Sequence, residues 1–103
     1  MRHLRCRLEA IAALCAAGGT ALLKAAEVRE GTAGRTLEAW TTEPGVQLYT
    51  SPLDGRGAGS QMGFFCLETQ HFPDAIHHAN FPSVVLRPGQ EFRSATEYRF
   101  RTH

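Results

Sequence analysis

Cysteine is scarce in this sequence and unpaired: Cys6, Cys15 and Cys66 are an odd number, and none stands in a CxxC pair. That excludes a disulfide framework and a thiolate zinc site, and it points to reduced thiols and a cytoplasmic chain. An excess of charge is equally absent. Eleven Lys and Arg stand against ten Asp and Glu, a formal net charge of +1, so no field draws the chain to nucleic acid or to an anionic membrane. No run approaches the roughly 20 apolar residues of a membrane span. Arg2, His3, Arg5 and Arg7 precede an Ala-rich stretch in the manner of a secretory signal, but Glu9 interrupts it and the apolar run at residues 10–17 is short, which argues against one. Internal repeats and low-complexity segments are missing too. With 103 residues the chain has the size of one small domain. A chain of that size buries only roughly 60% of the surface its unfolded form exposes, which leaves little room for both a core and a deep pocket.

Two kinds of sequence are present. Residues 5–17 are strong helix formers, with Leu4, Leu8, Ile11, Leu14 and Cys15 recurring at steps of three or four, a spacing that predicts a helix ended by Gly18-Gly19. Downstream the composition turns to Thr, Val, Phe and Tyr with turn residues at intervals. Short strands are predicted at residues 23–29, 35–42, 46–50, 64–69, 83–87 and 91–101. Pro44-Gly45 reads as a tight turn joining residues 35–42 and 46–50 in a hairpin. Residues 51–63, with Pro52, Gly55, Gly57 and Gly59, read as a loop or a long hairpin connection. In the last strand Phe92, Ser94, Thr96, Tyr98 and Phe100 share one face, and Arg93, Glu97, Arg99 and Arg101 the other, wet face. The fold class is therefore all-β. Six short strands with two apolar faces need a further layer to cover them, and one Ala-rich helix is poorly suited to supply it.

Chemistry concentrates at few positions. Glu68 ends the apolar run Phe64-Phe65-Cys66-Leu67 and shares a strand face with Phe64 and Cys66. Partial burial there favours a proton acceptor working near neutral pH; by pattern alone, a strand end that has reached solvent explains it better. Gln47 lies opposite Val46 and Leu48, beside Tyr49, and an amide next to an aromatic ring suits a sugar, with its hydroxyls and C–H faces. A plain solvent-facing sheet has the same pattern. His71, His77 and His78 lie near Asp74 around Pro73, and solvated loop histidines fit that better than a metal centre, which needs three or four convergent ligands. Gly55, Gly57 and Gly59 have no following helix that would make them a phosphate cradle.

Two blocks carry a family resemblance. Arg35-Thr36-Leu37-Glu38-Ala39-Trp40-Thr41-Thr42-Glu43-Pro44-Gly45-Val46-Gln47-Leu48-Tyr49-Thr50 resembles a strand pair near the carboxyl end of the aldose 1-epimerase, or galactose mutarotase, family. The second block is Cys66-Leu67-Glu68-Thr69-Gln70-His71-Phe72-Pro73-Asp74-Ala75, followed by Asn80-Phe81-Pro82-Ser83 and Leu86-Arg87-Pro88-Gly89-Gln90. The blocks keep the family's order and spacing, so the match is more specific than a single motif. It runs over residues 22–103 and leaves residues 1–21 as a helical segment outside the family.

The resemblance implies the carboxyl-terminal part of a large galactose-mutarotase-like β-sandwich, which identifies the layer that the strand pattern lacks. It implies an isomerase that interconverts the α and β anomers of a free aldohexose such as galactose or glucose, with neither cofactor nor metal. Glu68 falls on the family's general base and Gln47 on a sugar-contacting residue. The family's general acid is a His on an upstream segment, joined by a further His, an Arg and an Asp, and none of those segments has a counterpart here. His71, His77 and His78 sit in other blocks and are no substitutes. After Thr50 the family's Gly-Asn-Phe is replaced by Ser51-Pro52, which alters the loop beside the base. The expectation is a truncated form with little or no activity alone, whose partners are the sugar and a missing amino-terminal portion of the same enzyme. A non-catalytic sugar-binding relative and a poorly folding gene fragment are the alternatives.

Overall fold

A computed structural model describes residues 6–10, 21–52 and 62–102. Six strands carry almost all of the regular structure: β1 (Cys6–Ala10), β2 (Leu23–Glu30), β3 (Arg35–Thr41), β4 (Gly45–Pro52), β5 (Met62–Gln70) and β6 (Thr96–Thr102), with one 3-10 turn at Ala75–His77. They form two antiparallel sheets, one of order β1-β2-β3-β6 and one of β4-β5. The all-β class expected from the strand pattern is the class observed. Among the described residues no helix is long and apolar enough to cross a membrane.

β2 and β3 are joined by a turn whose chemistry is local. The Glu30 carboxylate accepts the amides of Thr32 and Ala33 at 2.8 and 2.7 Å, and the Gly34 amide donates to the Glu30 carbonyl at 3.1 Å. Gly34 sits at φ 70°, a left-handed conformation that costs glycine nothing. The pairing then sets Val28 opposite Leu37 and Ala26 opposite Ala39. A bulge between Lys24 and Ala26 leaves both Ala25 and Ala26 buried.

The core lies between the sheets. Ala26, Val28 and Ala39 meet Leu67 of β5, with Leu37, Val46 and Phe65 packed around them. It is a small core, and apolar surface remains uncovered: Phe100 is 78% and Phe92 60% exposed, both on the strand face assigned above to the apolar side. The opposite face of the larger sheet carries a charge ladder. Lys24 Nζ donates to Glu27 at 2.6 Å and to Glu38 at 3.2 Å, and Arg101 reaches the same Glu38 oxygen at 3.2 Å. The Arg99 guanidinium lies 4.1 Å from the centre of the Trp40 ring, a cation–π stack. Hydrogen bonds from Lys24 and Arg29 hold the Glu27 carboxyl down to about 2.

Three expectations are corrected. Cys6–Ala10 is a strand paired with β2, Leu8 opposite Val28 and Ala10 opposite Ala26, and not the start of a helix. Apolar residues there recur at every second position as well as at helical steps, and the open edge of β2 satisfies the backbone as a strand. Residues 11–17 of the expected helix lie outside the described residues. The hairpin between β3 and β4 does not form either. β2 and β6 occupy both edges of β3, the Thr42 amide donates to the Ala95 carbonyl at 3.0 Å, and residues 42–44 carry the chain across to the other sheet. Lastly, residues 83–87 form no strand and the final strand begins only at Thr96. Pro82 and Pro88 flank the former segment and withhold ladder donors. Arg87-Pro88-Gly89-Gln90 closes a turn with a 3.0 Å bond from the Gln90 amide to the Arg87 carbonyl, and Gly89 supplies φ 84°, as a type II turn requires.

Candidate active face

β4 and β5 form the long hairpin across residues 53–61, which lie outside the described residues together with Gly55, Gly57 and Gly59. Their register fixes what shares each face. Val46, Leu48 and Thr50 stand opposite Thr69, Leu67 and Phe65 on the side of the core. Alternation turns the intervening residues away from the core. On that outer face Gln47 stands directly opposite Glu68, and Tyr49 directly opposite Cys66. Side chains at directly opposed positions start from Cβ atoms about 4.5–5.5 Å apart, so the amide of Gln47 and the carboxylate of Glu68 serve one ligand-sized area.

The surroundings of this pair are apolar and open. Tyr49 is 51% and Phe64 55% exposed, with ring centroids 6.2 Å apart and tilted by 47°, and Cys66, opposite Tyr49, is a half-buried free thiol. Glu68 and Gln47 are both exposed, so the partial burial entertained for Glu68 is absent: β5 has reached solvent at that position. A carboxylate that accepts protons, an amide that donates and accepts, and two rings for stacking make a face able to hold a polyhydroxylated ring and remove a proton from it.

The backbone around Glu68 is tied to β6 on both sides. The Tyr98 hydroxyl donates to the Leu67 carbonyl at 3.0 Å. The Thr69 hydroxyl shares a 2.8 Å hydrogen bond with that of Thr96, which in turn pairs at 3.1 Å with that of Thr41 on β3. These residues are far apart in sequence, and no local pattern announces them. The histidines stand elsewhere. His71 Nδ1 lies 3.1 Å from the buried carboxylate of Glu43, while His77 and His78 both pair with Asp74. Asp74 itself adopts φ 59° at the start of the 3-10 turn. The Glu43–His71 pair was not read from the sequence; the only signal was a carboxylate beside a Pro-Gly turn. Among the described residues no group of three or more His, Cys, Asp or Glu side chains could hold a metal ion.

The sequence profile described as "Aldose 1-epimerase" matches residues 13–99, beginning inside the stretch assigned above to a separate segment ending at residue 21. Over 82 residues the chain is 45% identical to human galactose mutarotase and 44% to the rat protein, covering 73% of this chain and 24% of each relative. It is 33% identical over 72 residues to the aldose 1-epimerase of Escherichia coli K12, covering 62% of this chain and 21% of that protein. The chain spans about a quarter of the length of the curated relatives it matches.

Proposed function

The chain belongs to the aldose 1-epimerase family, and from that premise we propose that it carries the base and one sugar contact of a site that interconverts the anomers of a free aldohexose such as galactose or glucose. Glu68 is the general base: its carboxylate takes the proton of the anomeric hydroxyl as the bond between C1 and the ring oxygen breaks. Gln47 holds a sugar hydroxyl beside it, and Tyr49 and Phe64 present rings to the C–H face of the sugar. Protonation of the ring oxygen completes ring opening. Rotation about the C1–C2 bond, closure on the other face and return of the proton from Glu68 give the second anomer. No redox change occurs, and no cofactor enters these steps.

The register that sets Gln47 opposite Glu68 is the observation that carries this reading, because two residues assigned separately become neighbours on one open face. The ring oxygen needs an acid on the other side of the sugar. His71 is engaged with Glu43, and His77 and His78 with Asp74, so none of the three is given that role. Without a positioned acid, proton-transfer catalysis forfeits a factor of about 10² to 10⁴, and the chain alone is expected to have little or no activity until a further part of such an enzyme completes the site. Cytoplasmic residence belongs to the same proposal, in keeping with the free thiol of Cys66. Titrating the labelled chain with galactose while following the Gln47 and Glu68 amides by NMR tests the sugar contact, with shifts expected at both. Sugar that perturbs neither would sink it. Polarimetry of fresh α-glucose tests the second part: a rate above buffer that falls on Glu68→Gln overturns the expected inactivity.

A second reading, a carbohydrate-binding relative without catalysis, rests on the exposed Tyr49 and Phe64 rings beside Gln47. Saturable sugar binding that persists unchanged in Glu68→Gln favours it.

A further inference from the structure

The ladder of β4 and β5 is joined by its own connection at one end only. Residues 53–61 link the strands beyond Pro52 and Met62, whereas at the other end Gly45 and Gln70 form the last rung, with residues 42–44 arriving from β3 and β5 running on to His71. Gln47 and Glu68 stand two residues in from that rung. A two-stranded ladder is marginal by itself and frays first at a free end, so the spacing of the Gln47 and Glu68 side chains depends on what holds this end shut.

Two contacts grip it. A Cβ built on Gly45 would stand 3.0 Å from the Phe72 ring, so that ring already lies against the β4 backbone. Beside it, His71 Nδ1 lies 3.1 Å from Glu43 Oε2, which ties the residue after β5 to the segment that leads into β4. Glu43 is anchored in turn: its amide donates to Thr41 Oγ1 at 3.0 Å, and Thr41 is a fully buried residue of β3. Glu43 is buried as well, and among the described residues His71 is the group that forms an ion pair with it. A buried carboxylate without a partner is costly, so opening this end of the ladder would strand the charge. A carboxylate oxygen and a bare Nδ1 are both acceptors. The contact therefore puts a proton on Nδ1 whether the ring is neutral or charged.

We propose that Glu43 and His71 are positioning residues of the sugar site: their ion pair closes the end of the β4–β5 ladder and so sets the distance between the Gln47 side-chain amide and the Glu68 carboxylate. This role rests on the mutarotase reading of that pair, and neither Glu43 nor His71 is given a contact with the sugar. A charge-assisted pair suits the task because it is directional, whereas apolar contact holds two groups together without fixing their spacing.

NMR of the full chain, with and without galactose, is the test. In the unaltered chain the neutral His71 ring is expected to carry its proton on Nδ1, read from its ring nitrogen shifts, and the Gln47 and Glu68 side chains to show a nuclear Overhauser contact. His71→Phe keeps a ring beside Phe92, 6.3 Å away in the parent, but leaves Glu43 unpaired. It is expected to lose the Gln47–Glu68 contact, to keep the one between the opposed Thr50 and Phe65, and to weaken galactose binding by roughly tenfold, about the effect of losing one well-placed hydrogen bond. His71→Asn, whose amide N–H can stand where Nδ1–H does, restores both. Glu43→Met/His71→Phe leaves no charge stranded, so stability in urea recovers while the contact and the affinity do not, a split that a merely structural pair would not give. If the unaltered chain shows the Gln47–Glu68 contact but no response to galactose, the mutarotase reading of this chain fails and the contact alone decides the positioning role. The ring proton needs no variant, and it decides the pairing even where His71→Phe does not fold. A neutral ring protonated on Nε2, an unaltered chain without the Gln47–Glu68 contact, a contact that survives His71→Phe, or contact and affinity that return together with stability in the double variant would each overturn the proposal.

Discussion

Replacing Tyr98 by Phe removes one oxygen and with it the 3.0 Å bond to the Leu67 carbonyl, one of the ties that hold the strand bearing Glu68 against β6. A hydrogen bond of this kind contributes a net of about 0.5–1.5 kcal/mol. Tyr98 is 47% exposed, but Leu67, whose carbonyl is released, is only 8% exposed, so part of the cost of a buried unsatisfied acceptor is added. The expected loss is therefore about 1–3 kcal/mol. For a domain of this size that lowers the melting temperature by about 4 °C or more. Tyr49→Phe is the matched control, because it deletes the same atom on the open outer face of β4 and is expected to stay within about 0.5 kcal/mol of the parent. Thermal unfolding followed by circular dichroism, with Trp40 fluorescence as a second probe, measures both. Equal losses in the two variants would refute the idea that β6 braces the strand that carries Glu68.

Other perturbations separate the roles of individual groups. Glu68→Gln is expected to leave stability within about 0.5 kcal/mol of the parent, since the side chain is exposed; a large loss in urea unfolding would make Glu68 a structural residue and weaken its assignment as a base. Glu27 is held near 2 when folded against an ordinary 4.5. A lowered folded value means the unfolded chain takes up the proton first, so this group's stabilisation is full above about 4.5 and drains away as pH falls towards 2; unfolding of Glu27→Gln should show a shallower acid limb in that window, and an unchanged limb would contradict it. Gly45→Ala sets a Cβ 3.0 Å from the Phe72 ring, and moving that ring off Phe81 is expected to cost about 1–3 kcal/mol, read as a lowered urea midpoint; an unchanged midpoint would show that the ring yields freely.

Much of the architecture could be read from alternation, and the failures share a cause. β3, β4 and β5 were legible from their β-branched and aromatic residues with turn residues at their ends, whereas β2, rich in helix formers, was legible from the turn residues 31–34 that follow it. The pairing of β3 was not, because its second partner, β6, lies more than 50 residues away, and nothing local tells a Pro-Gly hairpin turn from a Pro-Gly step between sheets. The helix reading of residues 6–10 failed because Cys6, Leu8 and Ala10 satisfy a period of two while Leu4, Leu8 and Ile11 satisfy steps of three and four; the open edge of β2 decided between them. Residues 83–87 look like a strand, yet no neighbour offers them a ladder. The candidate site was legible one residue at a time. Glu68 stood out as the polar member of an apolar strand and Gln47 as an amide beside an aromatic. Their placement opposite one another depends on the register of two strands separated by a long connection, and the brace from Tyr98 and Thr96 is set by tertiary packing alone.

The claim that Glu68 and Gln47 belong to a mutarotase site is tested most directly by a chimera, in which residues 22–103 replace the matching segment of human galactose mutarotase and anomer interconversion is followed by polarimetry. The chimera is expected to equilibrate α-galactose, and Glu68→Gln within it to lower the rate by a factor of about 10² to 10⁴ while the protein remains folded. A folded chimera that is inactive with Glu68 in place, or one whose rate is unchanged by Glu68→Gln, would contradict the account.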